Sequence, residues 1–195
     1  MKSEKILMSD GEMILYSQFF AQIESDRLFE QLYHEIKWQQ DFITLYGKKM
    51  LIPRLQAWYG DQGKCYTYSN IKMNPLPWTD TLLIIKNRIE TEIKETFNSV
   101  LLNLYRHGQD SMGWHSDDEP ELGQNPLIAS VSFGQTRRFI FRHKFDKQAD
   151  KIKIDLTNGS LLIMMGKTQH FWQHHIPKTT KLVKPRINLT WRIIH

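Results

Sequence analysis

The sequence predicts one α+β domain in which helical segments come first and a β-sandwich or jelly roll follows. Apolar residues recur with helical spacing in two N-terminal segments, whereas short β-favouring segments follow one another after about residue 98. No internal repeat and no linker rich in glycine, serine or proline divides the 195 residues. We therefore expect a single domain, 1–195, with a cap over 1–97 and a β-rich core over 98–195.

The N-terminal part predicts one helix and little regular sheet. Ser25 and Asp26 can cap a helix whose apolar residues recur every four positions, at Leu28, Leu32 and Ile36. Phe42 to Tyr46 favours a strand, and Tyr66 to Tyr68 shows β-favouring alternation. Ile52 to Lys64 contains one proline and two glycines, which predicts an irregular connection.

A second helix is predicted to begin near Thr79 or Asp80, and strands dominate the chain after it. The apolar residues of this helix share one side, at Leu82, Ile85, Ile89 and Ile93. Asn158-Gly159 predicts a tight turn between two strands. The strands predicted after the helix are Val100–Tyr105, Leu127–Phe133, Arg138–His143, Lys151–Leu156, Leu161–Met165 and Ile187–Ile193.

Composition limits the class of protein but identifies no partner. The net charge of +5 and the pI of about 9.2 fit a polyanionic partner, although many basic proteins bind none. The one cysteine, Cys65, cannot form a disulfide within the chain, which favours a reducing compartment. The N-terminus resembles no signal peptide, and the apolar stretches are strand-sized. We expect a cytoplasmic monomer with no membrane partner.

His115 and Asp117 have the spacing of a metal-binding pair. Residues two apart on an extended segment point the same way, so both side chains can reach one ion. A third ligand can come from His174 or His175, with His170 as a further candidate. Two imidazoles and one carboxylate are typical of non-haem Fe(II) oxygenases, which keep open positions for oxygen and a cosubstrate. A His-x-Asp sequence also occurs by chance.

The C-terminal strand has one face rich in hydrogen-bond donors. Its polar residues alternate with an apolar set, Ile187, Leu189, Trp191 and Ile193. The polar residues are Arg186, Asn188, Thr190 and Arg192. Two arginines beside Asn and Thr are suited to carboxylates, although an ordinary solvent-facing strand could look alike. With the His-x-Asp pair, this face predicts an oxygenase that uses Fe(II) and 2-oxoglutarate.

Several segments, in a fixed order from about Leu45 to Arg192, resemble the AlkB family of nucleic-acid dioxygenases. The likeness is greatest to the animal homologues that repair alkylated DNA. The segments in the second half are Asn103–Gly108, His115–Glu119, Ala129–Gly134, Phe139–Lys144, Gly159–Met165 and Pro185–Arg192. Those upstream are Ile52–Arg54, Tyr59–Asp61 and Tyr66–Ser69. Order, spacing and independent segments agree, which makes the resemblance specific.

The resemblance implies a double-stranded β-helix (jelly-roll) core with the N-terminal helices packed on the sheet. It implies Fe(II), 2-oxoglutarate and O2 as cofactor and cosubstrates. The match at Trp172-Gln173-His174 favours His174, so the implied iron ligands are His115, Asp117 and His174. The implied 2-oxoglutarate site is Asn103, Tyr105, Arg186, Asn188, Thr190 and Arg192. Within it, Arg186 holds the distal carboxylate and Arg192 lies nearer the metal and the reaction.

The activity implied is oxidative demethylation of N-alkylated bases in DNA, of the 1-methyladenine and 3-methylcytosine type, with release of formaldehyde, succinate and CO2. Region 1–97 would recognise the substrate. The implied base contacts are Arg54, Tyr66, Tyr68, Ser69 and Glu119, although Tyr66 and Tyr68 could equally pack within a sheet. The candidates for phosphate contacts are Arg137, Arg138, Arg142, Lys144, Lys178 and Lys181. RNA as the substrate, and a catalytically silent nucleic-acid-binding module, are the alternatives.

Overall fold

The computed structural model describes residues 2–45, 47–63, 66–68, 71–73 and 75–195, without the side chains of 44–45, 66–68 and 71–73. The helices are α1 Gln22–Glu35, α2 Asp80–Ile93 and the short α3 Thr168–Phe171, and a 3₁₀ turn covers Pro120–Leu122. The strands are β1 Glu4–Ile6, β2 Glu12–Tyr16, β3 Phe42–Leu45, β4 Lys48–Leu51, β5 Leu55–Gly60, β6 Tyr66–Tyr68, β7 Ile71–Met73, β8 Ser99–Tyr105, β9 Met112–His115, β10 Ile128–Gly134, β11 Arg137–His143, β12 Ile152–Leu156, β13 Ser160–Met165, β14 Trp172–Ile176 and β15 Arg186–Arg192.

Two antiparallel sheets form the core, as a jelly roll requires. The large sheet has the order β1-β2-β13-β10-β15-β8-β5, and the small sheet has the order β12-β11-β14-β9. Two hairpins, β3–β4 and β6–β7, form separate two-stranded sheets. One buried cluster, which includes Phe139, Phe141, Leu162 and Met164, fills the space between the two large layers. The predicted jelly roll is confirmed.

The helices cover the outer face of the large sheet. Leu28 and Leu32 of α1 and Ile85 of α2 are fully buried in one cluster with Leu189 and Trp191 of β15. This layer leaves the opposite face of β15 turned toward the small sheet. The predicted packing of N-terminal helices on the sheet is confirmed, and the apolar set of β15 is the part that faces the helices.

Two local predictions were wrong. Helix α1 begins at Gln22 after Ala21, and Ser25 lies inside it, where its hydroxyl donates to the Ala21 carbonyl oxygen at 2.9 Å. The stretch Ile52 to Lys64 is not irregular, because it contains β5 at the edge of the large sheet. β5 is buried on both faces, so it shows no alternation of apolar and polar residues.

The region before residue 98 also supplies β1 and β2 to the large sheet, which pair with β13 along the opposite edge from β5. Tyr46, the last residue of one predicted strand, lies outside the described residues, whereas β3 covers the rest of that strand. Among the helices described, none has both the length and the apolar character needed to cross a bilayer.

Candidate active site

Three side chains that can bind a metal converge between the two sheets. His115 ends β9, Asp117 follows two residues later, and His174 is the register partner of His115 on β14. The two Nε2 atoms lie 3.2 Å apart, and carboxylate oxygens of Asp117 lie 4.0 Å from Nε2 of His115 and 3.9 Å from Nε2 of His174. One ligand atom from each residue lies within 4.8 Å of the others. The structure thus brings His174 to the cluster, whereas His175 stacks on Trp114 outside it.

Hydrogen bonds to groups outside the cluster orient His115 and Asp117. Nδ1 of His115 lies 2.9 Å from the Gly113 carbonyl oxygen, a contact that places the proton on Nδ1 and leaves the Nε2 lone pair for a metal. The backbone N–H of Asp117 donates to Oε1 of Gln169 at 3.0 Å. Between the two ligands, the Ser116 hydroxyl donates to the carbonyl oxygen of Trp172 at 2.8 Å. The His-x-Asp segment is therefore fixed to α3 and to β14.

The electrostatics of the cluster match the protonation state that a metal requires. Burial alone would raise the pKa of Asp117, but Arg192, His174 and His115 lower it below its usual value. Arg192 donates from Nη2 to Oδ1 of Asp117 at 2.5 Å. Burial is the largest cause that lowers the pKa of His174, to about 3. At neutral pH the carboxylate is ionised and this imidazole is neutral, which is the state that binds a divalent ion.

The donor-rich face of β15 lines the same cavity as the metal ligands. Arg186, Asn188 and Thr190 lie along this wall, and Asn103 and Tyr105 of β8 lie beside them. Tyr105 is the register partner of Arg186, and Asn103 is the register partner of Asn188. The predicted cosubstrate residues are thus brought together, and Arg192 links them to the metal ligands.

Arg186 is a buried cation with unused hydrogen-bonding capacity. Its side chain is 1% exposed, and Nη2 donates to the Ser132 hydroxyl at 2.9 Å. Within the described part of the chain, Nε and Nη1 have no hydrogen-bond partner of normal geometry, and the Tyr105 ring lies 5.2 Å from the guanidinium. Burial lowers the pKa of Arg186 to about 10, so it remains charged at neutral pH. A carboxylate in the cavity would satisfy both the charge and the donors.

The predicted base contacts have three different outcomes. Arg54 is 3% exposed and donates from Nε to Oδ1 of Asn103 at 2.7 Å, so it lies beside a cosubstrate residue. Glu119 is half-buried, and its Oε2 has no partner among the described residues. Tyr66 and Tyr68 are placed only by their backbones in β6, and Ser69 lies outside the described residues. A base-binding role for these residues stays a prediction.

One candidate for a phosphate contact is contradicted. Arg137 is 5% exposed and donates from Nη2 to the carbonyl oxygens of Asp110 and Pro177, so it braces two loops inside the protein. Lys178 and Lys181 are exposed. Three other candidates already hydrogen-bond a neighbouring side chain, namely Arg138 with Asp155, Arg142 with Gln173 and Lys144 with Asp118.

Three buried polar residues of the site were missed from the sequence. Gln169 is fully buried and supports Asp117, but no local pattern distinguishes it from a surface residue of a short helix. Ser132 holds Arg186, and Ser130 accepts a hydrogen bond from Nδ2 of Asn188 at 2.9 Å. These serines alternate with Ala129, Val131 and Phe133 on β10, and this alternation was the signal that could have revealed them.

Known proteins are similar to this chain in sequence and in fold. Residues 12–192 match the 2OG-Fe(II) oxygenase superfamily. The human alpha-ketoglutarate-dependent dioxygenase alkB homolog 3 is 46% identical over 95% of this chain and 67% of its own length, and the bovine protein is 47% identical over 88% and 62%. The human DNA oxidative demethylase ALKBH2 is 37% identical over 96% of this chain and 76% of its own length. The chain thus spans about two thirds of the curated alkB homolog 3 proteins that it matches.

A solved structure, that of OsALKBH1, has the same fold, with a TM-score of 0.68 over 97% of this chain and 100% of that one at 18% identity. Two imidazoles and a carboxylate fit Fe(II), and the unpaired donors of Arg186 fit one carboxylate of 2-oxoglutarate. With these matches and this site, the chain belongs to the 2OG-Fe(II) oxygenase superfamily and, within it, to the AlkB family.

Proposed function

We propose that this chain is an oxidative demethylase that uses Fe(II), 2-oxoglutarate and O2 to repair N-alkylated bases in DNA, of the 1-methyladenine and 3-methylcytosine type. The observation that carries the proposal is one cavity lined by both the His115, Asp117 and His174 cluster and the buried cation of Arg186. Every residue of this site comes from one chain, so we also propose that a monomer is sufficient for activity.

The metal would be held by the imidazoles of His115 and His174 and by the carboxylate of Asp117. Arg192 keeps Asp117 ionised through a buried hydrogen bond, and Gln169 fixes the backbone of Asp117. When bound, Fe(II) with 2-oxoglutarate and O2 would supply the oxidation, in which one oxygen atom is inserted into a C–H bond of the N-methyl group and the other enters the succinate formed with CO2. The resulting N–CH2OH group loses formaldehyde as the C–N bond breaks, the base nitrogen regains its electron pair, and the hydroxyl proton passes to solvent.

The cosubstrate is held by the wall formed by β15 and β8. Arg186 would bind the distal carboxylate with its two free donor atoms, while Ser132 holds the guanidinium in place. Arg54 fixes the orientation of the Asn103 side-chain amide. The Nε–H of Arg54 donates to Oδ1 of Asn103, which leaves the side-chain NH2 group free to donate to the cosubstrate. This arrangement recognises a dianion and orients it before the reaction begins.

The nucleic-acid substrate is supported by relatives and by charge. The human and bovine proteins named DNA oxidative demethylase ALKBH2 are 37% and 39% identical to this chain. The net charge of +5 suits a polyanion. Because the metal cluster lies between two sheets, a target base must leave the helical stack to reach it. We propose that region 1–97, with the base contacts named above, supplies the walls of that base pocket.

The test is a product assay on synthetic oligonucleotides that contain 1-methyladenine or 3-methylcytosine. We expect formaldehyde and succinate in equal amounts, dependent on Fe(II) and 2-oxoglutarate, and neither product from His115→Ala. Formaldehyde release that persists undiminished in His115→Ala would contradict the assignment of the metal ligand. Absence of formaldehyde with the wild type, despite metal binding, would favour a silent binding module.

A second arm compares DNA and RNA oligomers of the same sequence, each as a single strand and as a duplex. Faster turnover of methylated DNA supports the proposed substrate. Equal or faster turnover of RNA would reject the DNA preference and leave the oxidative chemistry in place.

A further inference from the structure

The strand that carries His115 has little backbone support beside the ligand. β9 has four residues and lies at the edge of the small sheet, where β14 is its one partner among the described strands. Its register has two pairs, His115 with His174 and Met112 with Ile176. Between these pairs β9 has two residues and β14 has one, so the ladder is irregular there. We therefore looked for side-chain contacts that hold β9 against β14 between these two pairs.

Two rings occupy this interval. Trp114 precedes His115, His175 follows His174, and the two rings stack with centroids 3.7 Å apart and planes 23° apart. Both residues are half-buried, whereas His174 is 2% exposed. Neighbouring residues on a strand point to opposite faces, so this stack lies behind the pair of ligands, on the other face of the small sheet.

Arg142 extends the stack to a third strand. Its guanidinium carbon lies 4.3 Å from the Trp114 ring centroid, in the geometry of a cation–π contact. The same guanidinium donates from Nε and Nη2 to Oε1 of Gln173, at 3.1 and 2.8 Å, and Gln173 is its register partner on β14. Side chains therefore join β9, β14 and β11 on the face opposite the ligands.

We propose that Trp114 is a positioning residue, which by stacking on His175 holds β9 against β14 and so sets the distance between His115 and His174. A metal binds more tightly to ligands that are already in place, because less conformational freedom is lost on binding. The flat ring is the essential feature, since an aliphatic side chain of similar apolarity cannot cover the imidazole in the same way. The inference rests on the iron site of the proposed function.

The experiment measures Mn(II) binding to the full chain by electron paramagnetic resonance, with no nucleic acid present. Mn(II) is the probe because it takes the same ligands as Fe(II) and does not react with oxygen. We expect Trp114→Leu to bind Mn(II) about tenfold more weakly, and Trp114→Phe to recover most of the lost affinity. Lys153→Ala, which removes an exposed side chain from β12 of the small sheet, is the control with unchanged affinity.

Mn(II) affinity in Trp114→Leu equal to that of the wild type overturns the inference. Thermal unfolding without metal is measured in parallel, because a purely structural role would lower the midpoint of the Leu and Phe variants alike and leave Mn(II) affinity unaffected. If Trp114→Leu does not fold, His175→Leu removes the stack from the other strand and carries the same expectation. A wild-type protein that binds Mn(II) but does not demethylate methylated oligonucleotides would contradict the proposed function and leave the role of Trp114 in metal binding untouched. Failure of the inference and failure of the proposed function are therefore distinguishable.

Discussion

The two halves of the site are held by different parts of the jelly roll. The cosubstrate half lies on β15, whose seven residues are all buried and which pairs along its length with β8 on one side and β10 on the other. The proposed metal half comprises His174 on β14, which pairs with β11 and β9, His115 on the edge strand β9, and Asp117 beyond the end of that strand. The fold thus gives the proposed cosubstrate wall and His174 a paired backbone, whereas the positions of His115 and Asp117 depend more on side-chain contacts.

This difference predicts different responses to mutation. Variants of the cosubstrate wall should change one interaction and leave its neighbours in place, because the paired backbone does not move. Variants near the metal ligands should disturb several side-chain contacts at once and so weaken metal binding even when the ligands themselves are kept.

The largest effect is expected at Asp117, where both halves meet. Asp117→Ala removes a metal ligand and leaves the guanidinium of Arg192 without its buried carboxylate partner, so we expect formaldehyde production and Mn(II) binding to be lost together. Asp155→Ala, an exposed acid on the small sheet, should leave both intact. Mn(II) binding retained in Asp117→Ala would show that the carboxylate is not a ligand.

The next largest effect separates the two halves. Arg186→Met removes the cation of the cosubstrate wall, and we expect KM for 2-oxoglutarate to rise about 100-fold, since loss of one partner of a buried charge pair costs about 3 kcal/mol. Mn(II) affinity should stay within about twofold, because β15 keeps its backbone pairing. Steady-state kinetics and Mn(II) titration measure the two quantities. A parallel loss of Mn(II) affinity would contradict independent halves.

A tenfold effect is expected on the metal side alone. Gln169→Leu leaves the backbone N–H of Asp117 without its acceptor and should weaken Mn(II) binding about tenfold, as is typical when a residue that orients a ligand is removed. KM for 2-oxoglutarate measured at saturating metal should not change. Gln148→Leu, at an exposed position in the connection between β11 and β12, is the matched Gln-to-Leu control. An equal loss of Mn(II) affinity in the two variants would contradict a specific role of Gln169 in orienting Asp117.

The sequence predicted the parts of the site that alternate along one strand and missed those that depend on distant contacts. The cosubstrate wall was predicted because β15 faces two environments, and its polar and apolar residues therefore alternate at Arg186, Asn188, Thr190 and Arg192. β5 was missed because both of its faces are buried. Gln169 was missed because its importance comes from a contact with a residue 52 positions earlier in the chain. Local patterns report the environment of one strand, but not which distant backbone atom a side chain will meet.

The first helix shows the same limit from another side. Ser25 and Asp26 have the residue types of an N-cap, yet α1 begins at Gln22. Neither side chain caps a helix in the structure: the Ser25 hydroxyl donates to the Ala21 carbonyl oxygen one turn earlier, and Oδ1 of Asp26 accepts from Nδ2 of the distant Asn158. The functional prediction did not depend on these boundaries, since the proposed cosubstrate donors lie on β8 and β15, whose limits were predicted within one residue. The strand β14, which carries His174, was not predicted, and His174 was identified from the resemblance.

Removing the cation should also stabilise the empty protein. The buried guanidinium of Arg186 lacks a carboxylate until the cosubstrate binds, so the apo form of Arg186→Met should be more stable by about 1–2 kcal/mol. Mn(II) alone should stabilise both proteins, whereas 2-oxoglutarate added in the presence of Mn(II) should give further stabilisation to the wild type and much less to the variant. Urea unfolding without ligands, with Mn(II) alone and with both ligands measures this. A less stable apo variant would mean that Arg186 supports the fold.

The smallest effect concerns the turn that joins the two halves, between β8 and β9. The carboxylate of Asp110 accepts hydrogen bonds from the side chain of Arg106 at 2.8 and 3.0 Å and from its backbone N–H at 2.9 Å. Its backbone carbonyl oxygen accepts from Nη2 of Arg137 at 3.0 Å. Burial alone would raise the pKa of Asp110, but these bonds from Arg106 lower it below its ordinary value.

A carboxyl group whose pKa is lowered by folding stabilises the protein above its unfolded pKa, and this contribution is lost as the pH falls through the folded pKa. The wild type should therefore be more stable than Asp110→Asn by about 1 kcal/mol at pH 7, and this difference should shrink between about pH 4 and pH 2. Urea unfolding at several pH values measures it. Asp155→Asn, whose carboxyl is paired with Arg138 but is 51% exposed, should show a smaller difference at every pH. If the two variants lose equal stability, the buried turn gives no more support to the joint than a surface ion pair, and the metal half is held to the cosubstrate half chiefly through Arg192 and Asp117.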